Sequence, residues 1–254
     1  MTLAVLGGGF ILDRLGQEHS FFQHIFQHPS IIGQPLTIID AYYSPAPQHP
    51  FPAAIHDALD VTSWVFTNAF NEWDTSKIIL SGFSAGGNLV LATSASFGRE
   101  RANPIKGAIA FFPACDITGS LPPYRTCLPP NPETKFPGFV LTDEQTRRRL
   151  DSYFYAHPEP SARRSLIASP SYADAKTFPK KVLLFTCEYD TLREMGEAMR
   201  KKLEGTVDVQ GWTVPGVGHN WDHFVRRPGQ KGYKEKVEAY DASAKFVAEI
   251  LRGD

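Results

Sequence analysis

The sequence is poor in cysteine and has no spacing typical of a metal site. Its 254 residues include three cysteines, which are Cys115, Cys127 and Cys187. Their odd number and wide separation argue against a disulfide framework and favour a reducing compartment. No cysteine lies at metal-ligand spacing from a histidine, so we predict neither a metal ion nor another cofactor.

The sequence also lacks an excess of charge of either sign. It has 26 Lys and Arg against 27 Asp and Glu, with no basic block, which argues against a nucleic-acid or anionic-membrane partner. The apolar opening "MTLAVLGGGFIL" has no basic flank and is too short and glycine-rich for a signal peptide or a membrane span. We therefore expect a cytoplasmic protein with no membrane span and a small ligand of low charge.

What the sequence does contain is an alternation of short apolar runs and longer amphipathic segments. The apolar runs predict strands at residues 3–6, 36–40, 77–81, 105–112, 181–187 and 207–214. The amphipathic segments predict helices at residues 20–28, 52–70, 87–97, 193–205 and 233–252. This pattern predicts one α/β domain over residues 1–254, with a mostly parallel sheet of about six strands covered by helices on both faces. Its ligand is expected at the carboxyl ends of the strands.

Residues 118–180 interrupt the alternation. This segment is rich in proline, aromatic residues and arginine, and it contains no clear strand. A long irregular connection is one interpretation, but loops of this length in compact domains are usually lids or binding insertions. We expect a lid or cap insertion within the single domain.

Ser84 lies in a pattern typical of a nucleophile elbow. The stretch "SGFSAGGNLVLA" at 81–92 follows a predicted strand and continues directly into a predicted helix. A tight turn brings the backbone segments around Ser84 together, so residues 82 and 86 must lack a β-carbon, and both are glycine. The sequence therefore predicts Ser84 as a catalytic nucleophile.

A nucleophilic serine needs a base, and the base needs an orienting acid. Asp190 and His219 each follow a predicted strand, in the chain order that α/β-hydrolases use. Asp190 could instead cap the following helix, and His223 is a rival to His219 as the base. The order of the three residues favours Ser84, Asp190 and His219 as a catalytic triad.

With these residues in place, the chain resembles the hormone-sensitive lipase family of α/β-hydrolase esterases from about residue 3 to its end. The similar segments, in order, are "SPAPQHPFPAAIHDA", "GFSAGGNL", "EYDTLREMGEAM" and "GVGHNW". "LGGGF" at 6–10 is similar to the His-Gly-Gly-Gly loop of that family. The resemblance implies an oxyanion hole formed by the backbone N–H groups of Gly8, Gly9 and Ala85.

The sequence departs from the family pattern beside this loop. Leu6 stands where the family has histidine, and Phe83 stands where it has aspartate. Family members also carry further strands before the glycine loop, so we expect an N-terminally shortened sheet whose exposed edge could pair in a homodimer.

These residues predict a serine carboxylesterase that acts on a small, largely apolar ester through an acyl-enzyme. Lactone hydrolysis and acyl transfer would use the same triad. The alternative from another class is a non-hydrolysing small-molecule binding protein, because plant gibberellin receptors resemble this family and have lost catalysis.

Overall fold

A computed structural model describes residues 2–5, 8–12, 15–68, 71–99, 103–118 and 121–253. The strands within these ranges are β1 (Thr2–Val5), β2 (Ile38–Ala41), β3 (Ile79–Phe83), β4 (Gly107–Phe111), β5 (Lys181–Tyr189), β6 (Asp208–Gln210) and β7 (Thr213–Gly218). The α-helices are α1 (His19–Gln27), α2 (Ala53–Thr67), α3 (Ala85–Phe97), α4 (Asp143–Tyr153), α5 (Pro160–Arg163), α6 (Arg193–Leu203), α7 (Trp221–Phe224) and α8 (Tyr233–Arg252). Short 3₁₀ turns occupy Thr75–Lys77, Tyr124–Cys127, Pro170–Tyr172 and Ala175–Thr177.

The strands form one parallel sheet in the order β2-β1-β3-β4-β5-β6, and β7 pairs with the second half of β5. The sequence predicted a single strand over 207–214, where the structure has β6 and β7. The break lies at Gly211, whose φ is +107° and where a β-carbon would collide with the Leu184 carbonyl of β5. Gly211 approaches β5 closely, in a conformation that only glycine adopts easily. The pairing of β6 with β5 therefore ends there, before the pairing of β7 with β5 begins.

Helices cover both faces of the sheet, as predicted. On one face, Ile79, Ile109 and Leu183 of the central strands pack in a cluster with residues of α1 and α8. On the other face, Leu80 and Ala108 pack in a cluster with residues of α2, α3 and α6. Successive residues of a strand point to opposite faces, so strands buried on both sides are apolar throughout, as β3 and β4 nearly are.

Residues 121–180 contain no strand, as expected, but they include α4, which the sequence analysis did not predict. Its sequence, "DEQTRRRLDSY", has too few apolar residues for a clear helical period. A capping box starts it: the Thr142 side chain accepts from the Gln145 N–H, and the Gln145 side chain accepts from the Thr142 N–H.

Three further expectations concern the membrane, the cysteines and the sheet edge. No helix in the described part of the chain is both long enough and apolar enough to cross a bilayer. Cys115, Cys127 and Cys187 are all buried free thiols. Strand β2 lies at one edge of the sheet formed by the described residues, and the homodimer that such an edge suggested stays a prediction.

Candidate active site

Ser84 lies at the turn between β3 and α3 with φ 53° and ψ −116°. Few residues with a side chain adopt a positive φ, so this backbone is held in place by its surroundings. The Ser84 N–H donates to the Phe111 carbonyl of β4 at 2.9 Å. A β-carbon on Gly82 would collide with the Gly86 carbonyl, which is the steric reason predicted for glycine at position 82.

His219 and Asp190 lie beside Ser84 in a continuous chain of hydrogen bonds. The Ser84 Oγ is 2.9 Å from His219 Nε2, and His219 Nδ1 is 2.7 Å from Asp190 Oδ2. Tyr189 pairs with Gly218 where β5 meets β7, so the next residue of each strand lies at the same sheet edge. The Asp190 side chain is 0% exposed and the His219 side chain is 5% exposed, so water competes little for these hydrogen bonds.

The second oxygen of Asp190 is also bound. Asp190 Oδ1 accepts from the Leu192 N–H at 3.0 Å, just before α6 begins. The helix-capping interpretation of Asp190 therefore describes one oxygen of this carboxylate, and the contact with His219 occupies the other. Together they fix the plane of the carboxylate.

His223, the rival base, has a different partner. It lies on α7, and its Nε2 is 2.9 Å from Glu18 Oε2. Burial alone would lower the pKa of His223, but the hydrogen bond to Glu18 and the charge of Asp222 raise it overall. Sequence reasoning missed Glu18 because its partner lies 205 residues away along the chain. The structure brings His219, and not His223, to Ser84.

The glycine loop reaches the same site. Gly8 and Gly9 have φ of 125° and 60°, and both line one cavity together with Ser84 and Ala85. Leu6, which stands where the family has histidine, lies outside the described residues. Phe83 is buried in an aromatic cluster and stacks on the Phe111 ring with centroids 4.5 Å apart.

Phe10 anchors the glycine loop to α4. Its ring stacks on Tyr153 of α4 with centroids 4.1 Å apart. The Phe10 carbonyl accepts from the Ala46 N–H at 2.8 Å, and the backbone of Phe10 also forms a hydrogen bond with Tyr43. The loop is thus positioned by stacking and backbone contacts, which the sequence pattern alone did not reveal.

The cavity in front of Ser84 has a volume of about 310 Å³. Most of its lining residues are apolar, among them Leu12, Ile117 and Met195. Residues 121–180 contribute Leu121, Phe139, Leu141, Thr146, Arg149 and Leu150. Residues 121–180 therefore form part of the wall of the cavity.

Phe139, in the same segment, also contacts the backbone of His219. The Phe139 N–H donates to the His219 carbonyl at 3.1 Å, and the His219 N–H donates to the Phe139 carbonyl at 2.7 Å. Two glycines allow this approach. A β-carbon on Gly138 would lie 2.6 Å from the His219 carbonyl oxygen, and a β-carbon on Gly218 would lie 2.8 Å from the Phe139 carbonyl oxygen. Segment 121–180 thus pairs with the backbone of a predicted catalytic residue.

Comparison with known proteins agrees with this geometry. The sequence model of a family described as having the alpha/beta hydrolase fold matches residues 3–223. The chain belongs to this family. Membership confirms the predicted fold class and the resemblance to hormone-sensitive lipase-type esterases, and it supports the prediction of a hydrolase.

Several relatives are named as esterases. The chain is 24% identical over 250 residues to a versiconal hemiacetal acetate esterase of Dothistroma septosporum, an alignment covering 97% of this chain and 70% of that protein. It is 27% identical over 220 residues to an ethyl acetate hydrolase of Pseudomonas putida, covering 85% of this chain but only 64% of that enzyme. A hyperthermophilic esterase from Pyrobaculum calidifontis superposes with a TM-score of 0.80 at 28% identity, over 98% of this chain and 76% of that one.

Proposed function

We propose that the protein is a serine carboxylesterase that hydrolyses a small ester through an acyl-enzyme. The observation that carries this proposal is the hydrogen-bonded chain from Ser84 Oγ through His219 to Asp190, with distances of 2.9 and 2.7 Å, at the wall of a cavity. Ser84 is the nucleophile, His219 the general base and then acid, and Asp190 the group that holds the imidazole in its working tautomer.

In the first half of the reaction, Ser84 Oγ bonds to the ester carbonyl carbon while its proton passes to His219 Nε2. The tetrahedral intermediate then breaks its bond to the alcohol oxygen, which leaves with that proton. In the second half, water gives a proton to His219 and attacks the acyl carbon, and Ser84 leaves with the proton from Nε2. The balance is one ester and one water converted to one acid and one alcohol.

The negative charge on the former carbonyl oxygen needs donors fixed in advance. We assign this role to the N–H groups of Gly8, Gly9 and Ala85, which line the cavity with Ser84. Preorganised donors of this kind contribute several kcal/mol to lowering the barrier. Ala85 is the first residue of α3, where the helix dipole also favours negative charge.

The cavity volume of about 310 Å³ and its apolar wall favour a small substrate. We assign residues 118–180 as a lid or cap over this cavity within a single domain. Lactones and acyl acceptors other than water would use the same groups. A homodimer and a cytoplasmic location also stay predictions.

Turnover of p-nitrophenyl acetate and p-nitrophenyl butyrate tests this function. Ser84→Ala should lower kcat by about three orders of magnitude or more, because it removes the nucleophile. A serine-directed phosphonate should label Ser84. Ser81→Ala, a change on β3 just before Ser84, should leave this labelling intact. Unchanged turnover in Ser84→Ala, or an adduct on Ser81, would contradict the assignment. Binding without turnover by the native protein would favour the receptor-like alternative.

A further inference from the structure

Arg149 brings a positive charge to the wall of the cavity. It is the third of three consecutive arginines on α4. Successive residues of a helix are rotated by about 100°, so the three cannot face the same way. Arg148 is 75% exposed and pairs with Glu144, whereas Arg149 is half-buried and lines the cavity.

The Arg149 guanidinium has no carboxylate beside it in the described part of the chain. Burial lowers the pKa of Arg149, and among the described residues no nearby charge opposes or adds to that effect. Asp116 lines the same cavity, but its Oδ1 accepts from the N–H and the hydroxyl of Thr118. A partly desolvated cation without a partner is costly, and an anion bound in the cavity would offset that cost.

Arg149 also lies where the reacting end of a substrate must pass. A β-carbon on Gly9 would lie 2.5 Å from Arg149 Cδ and 2.7 Å from its Nε. The arginine stem therefore packs over Gly9, in space that only glycine leaves open at this position of the loop. The planar guanidinium can bind a carboxylate through two parallel N–H donors.

We propose that the ester substrate carries a free carboxylate that Arg149 binds. The substrate class is then either a half-ester of a dicarboxylic acid or an O-acylated hydroxy acid, according to which side of the ester bond lies against α4. This inference rests on the proposed esterase function. It replaces the largely apolar ester expected from the sequence with an anionic one. Arg149 determines specificity through the cavity wall and takes no part in proton transfer.

The test compares each anionic ester with its neutral carboxamide of the same shape. Monoethyl glutarate is paired with ethyl 4-carbamoylbutanoate for the acyl side, and 4-acetoxybutanoate with 4-acetoxybutanamide for the alcohol side. The native protein should prefer the anion in one pair, measured as the ratio of kcat/KM values. Arg149→Met, which keeps a similar unbranched stem, should lower that ratio about tenfold to a hundredfold, the range of charge-assisted hydrogen bonds.

Two further variants separate a binding role from a structural one. Arg148→Met removes the exposed neighbouring charge and should leave the ratio at its native value. Arg149→Lys keeps a charge but loses the two-donor fork, so its ratio should lie between those of the native protein and Arg149→Met. Should Arg149→Met fail to fold, Arg149→Lys and Arg149→Gln give the same comparison.

A ratio near one in the native protein for both pairs would overturn the proposal. An equal loss on anionic and neutral esters in Arg149→Met would also overturn it, because Arg149 would then act on the oxyanion or the loop. Calorimetric titration of monoethyl glutarate and 4-acetoxybutanoate into Ser84→Ala tests binding without turnover. Failure to hydrolyse any ester would defeat the proposed function, but this titration would still decide the role of Arg149. Loss of the binding heat in the double variant Ser84→Ala, Arg149→Met would support anion binding by Arg149. Equal binding heats in Ser84→Ala and the double variant would refute it.

Discussion

Replacing Asp190 with asparagine should impair catalysis far more than the small change in shape suggests. The reason is that the Leu192 N–H, 3.0 Å from Asp190 Oδ1, needs an acceptor. Asparagine has only one acceptor oxygen, and this N–H holds it. The amide nitrogen then faces His219 Nδ1 and donates to it, which places the histidine proton on Nε2. Nε2 can then no longer accept the proton of Ser84.

The size of the effect follows from the cost of restoring the working tautomer. Turning the amide around leaves the buried Leu192 N–H without an acceptor, at about 1–3 kcal/mol. Losing the carboxylate charge opposite His219 removes a charge-assisted hydrogen bond worth about 1.5–3 kcal/mol. The sum of about 3–6 kcal/mol corresponds to a fall in kcat of about 10² to 10⁴.

Steady-state hydrolysis of p-nitrophenyl butyrate measures this fall, with near-ultraviolet circular dichroism to confirm that Asp190→Asn is folded. Asp222→Asn is a matched control, because Asp222 is equally buried but accepts from the Tyr240 hydroxyl. This variant should retain kcat within about tenfold of native, since an isosteric change away from the triad leaves the proton-transfer groups in place. If Asp190→Asn kept more than about a tenth of native kcat, the assigned hydrogen-bond direction would be wrong.

Two other substitutions test the geometry around Ser84. His219→Ala should lower kcat about as much as Ser84→Ala does, and the double variant should be little worse than either, since members of one catalytic unit are strongly non-additive. His223→Ala should keep most activity. The opposite ranking of the two histidine variants in an ester assay would disprove the assignment. Gly82→Ala should lower the melting temperature and kcat together, because its new β-carbon meets the Gly86 carbonyl; a variant that melts and turns over like the native protein would show that the turn tolerates the added carbon.

The parts of the fold with strong local signals could be predicted from the sequence. Helix α8 was predicted at 233–252 and is observed at Tyr233–Arg252. Its period is regular, and Gly232 and Gly253 flank it with φ of 84° and 87°, conformations suited to helix boundaries. The tight turn at Ser84 was predictable for a similar reason, because it depends on glycines only two residues away, whereas the catalytic role of Ser84 stays a prediction.

The parts that depend on distant contacts could not be predicted in this way. Helix α4 is polar and gives no apolar period. Its capping box between Thr142 and Gln145 is a local signal, but the packing of Tyr153 on Phe10 is a distant one. The direction of Arg149 depends on the same packing. The contact of His223 with Glu18 joins residues that are 205 positions apart in the chain, so no local sequence pattern predicts it.

Because Phe139 and His219 exchange two backbone hydrogen bonds, residues 118–180 are not an interchangeable module in chimeric enzymes. A crossover that replaces the whole segment would remove the backbone partner of the histidine along with the wall of the cavity. A graft that keeps 136–141 and Tyr153, whose ring stacks on Phe10, and exchanges other residues from α4 up to 180 would preserve both contacts while changing residues that line the cavity. Recombination points for altering specificity therefore lie after Leu141, within a few residues of the start of α4.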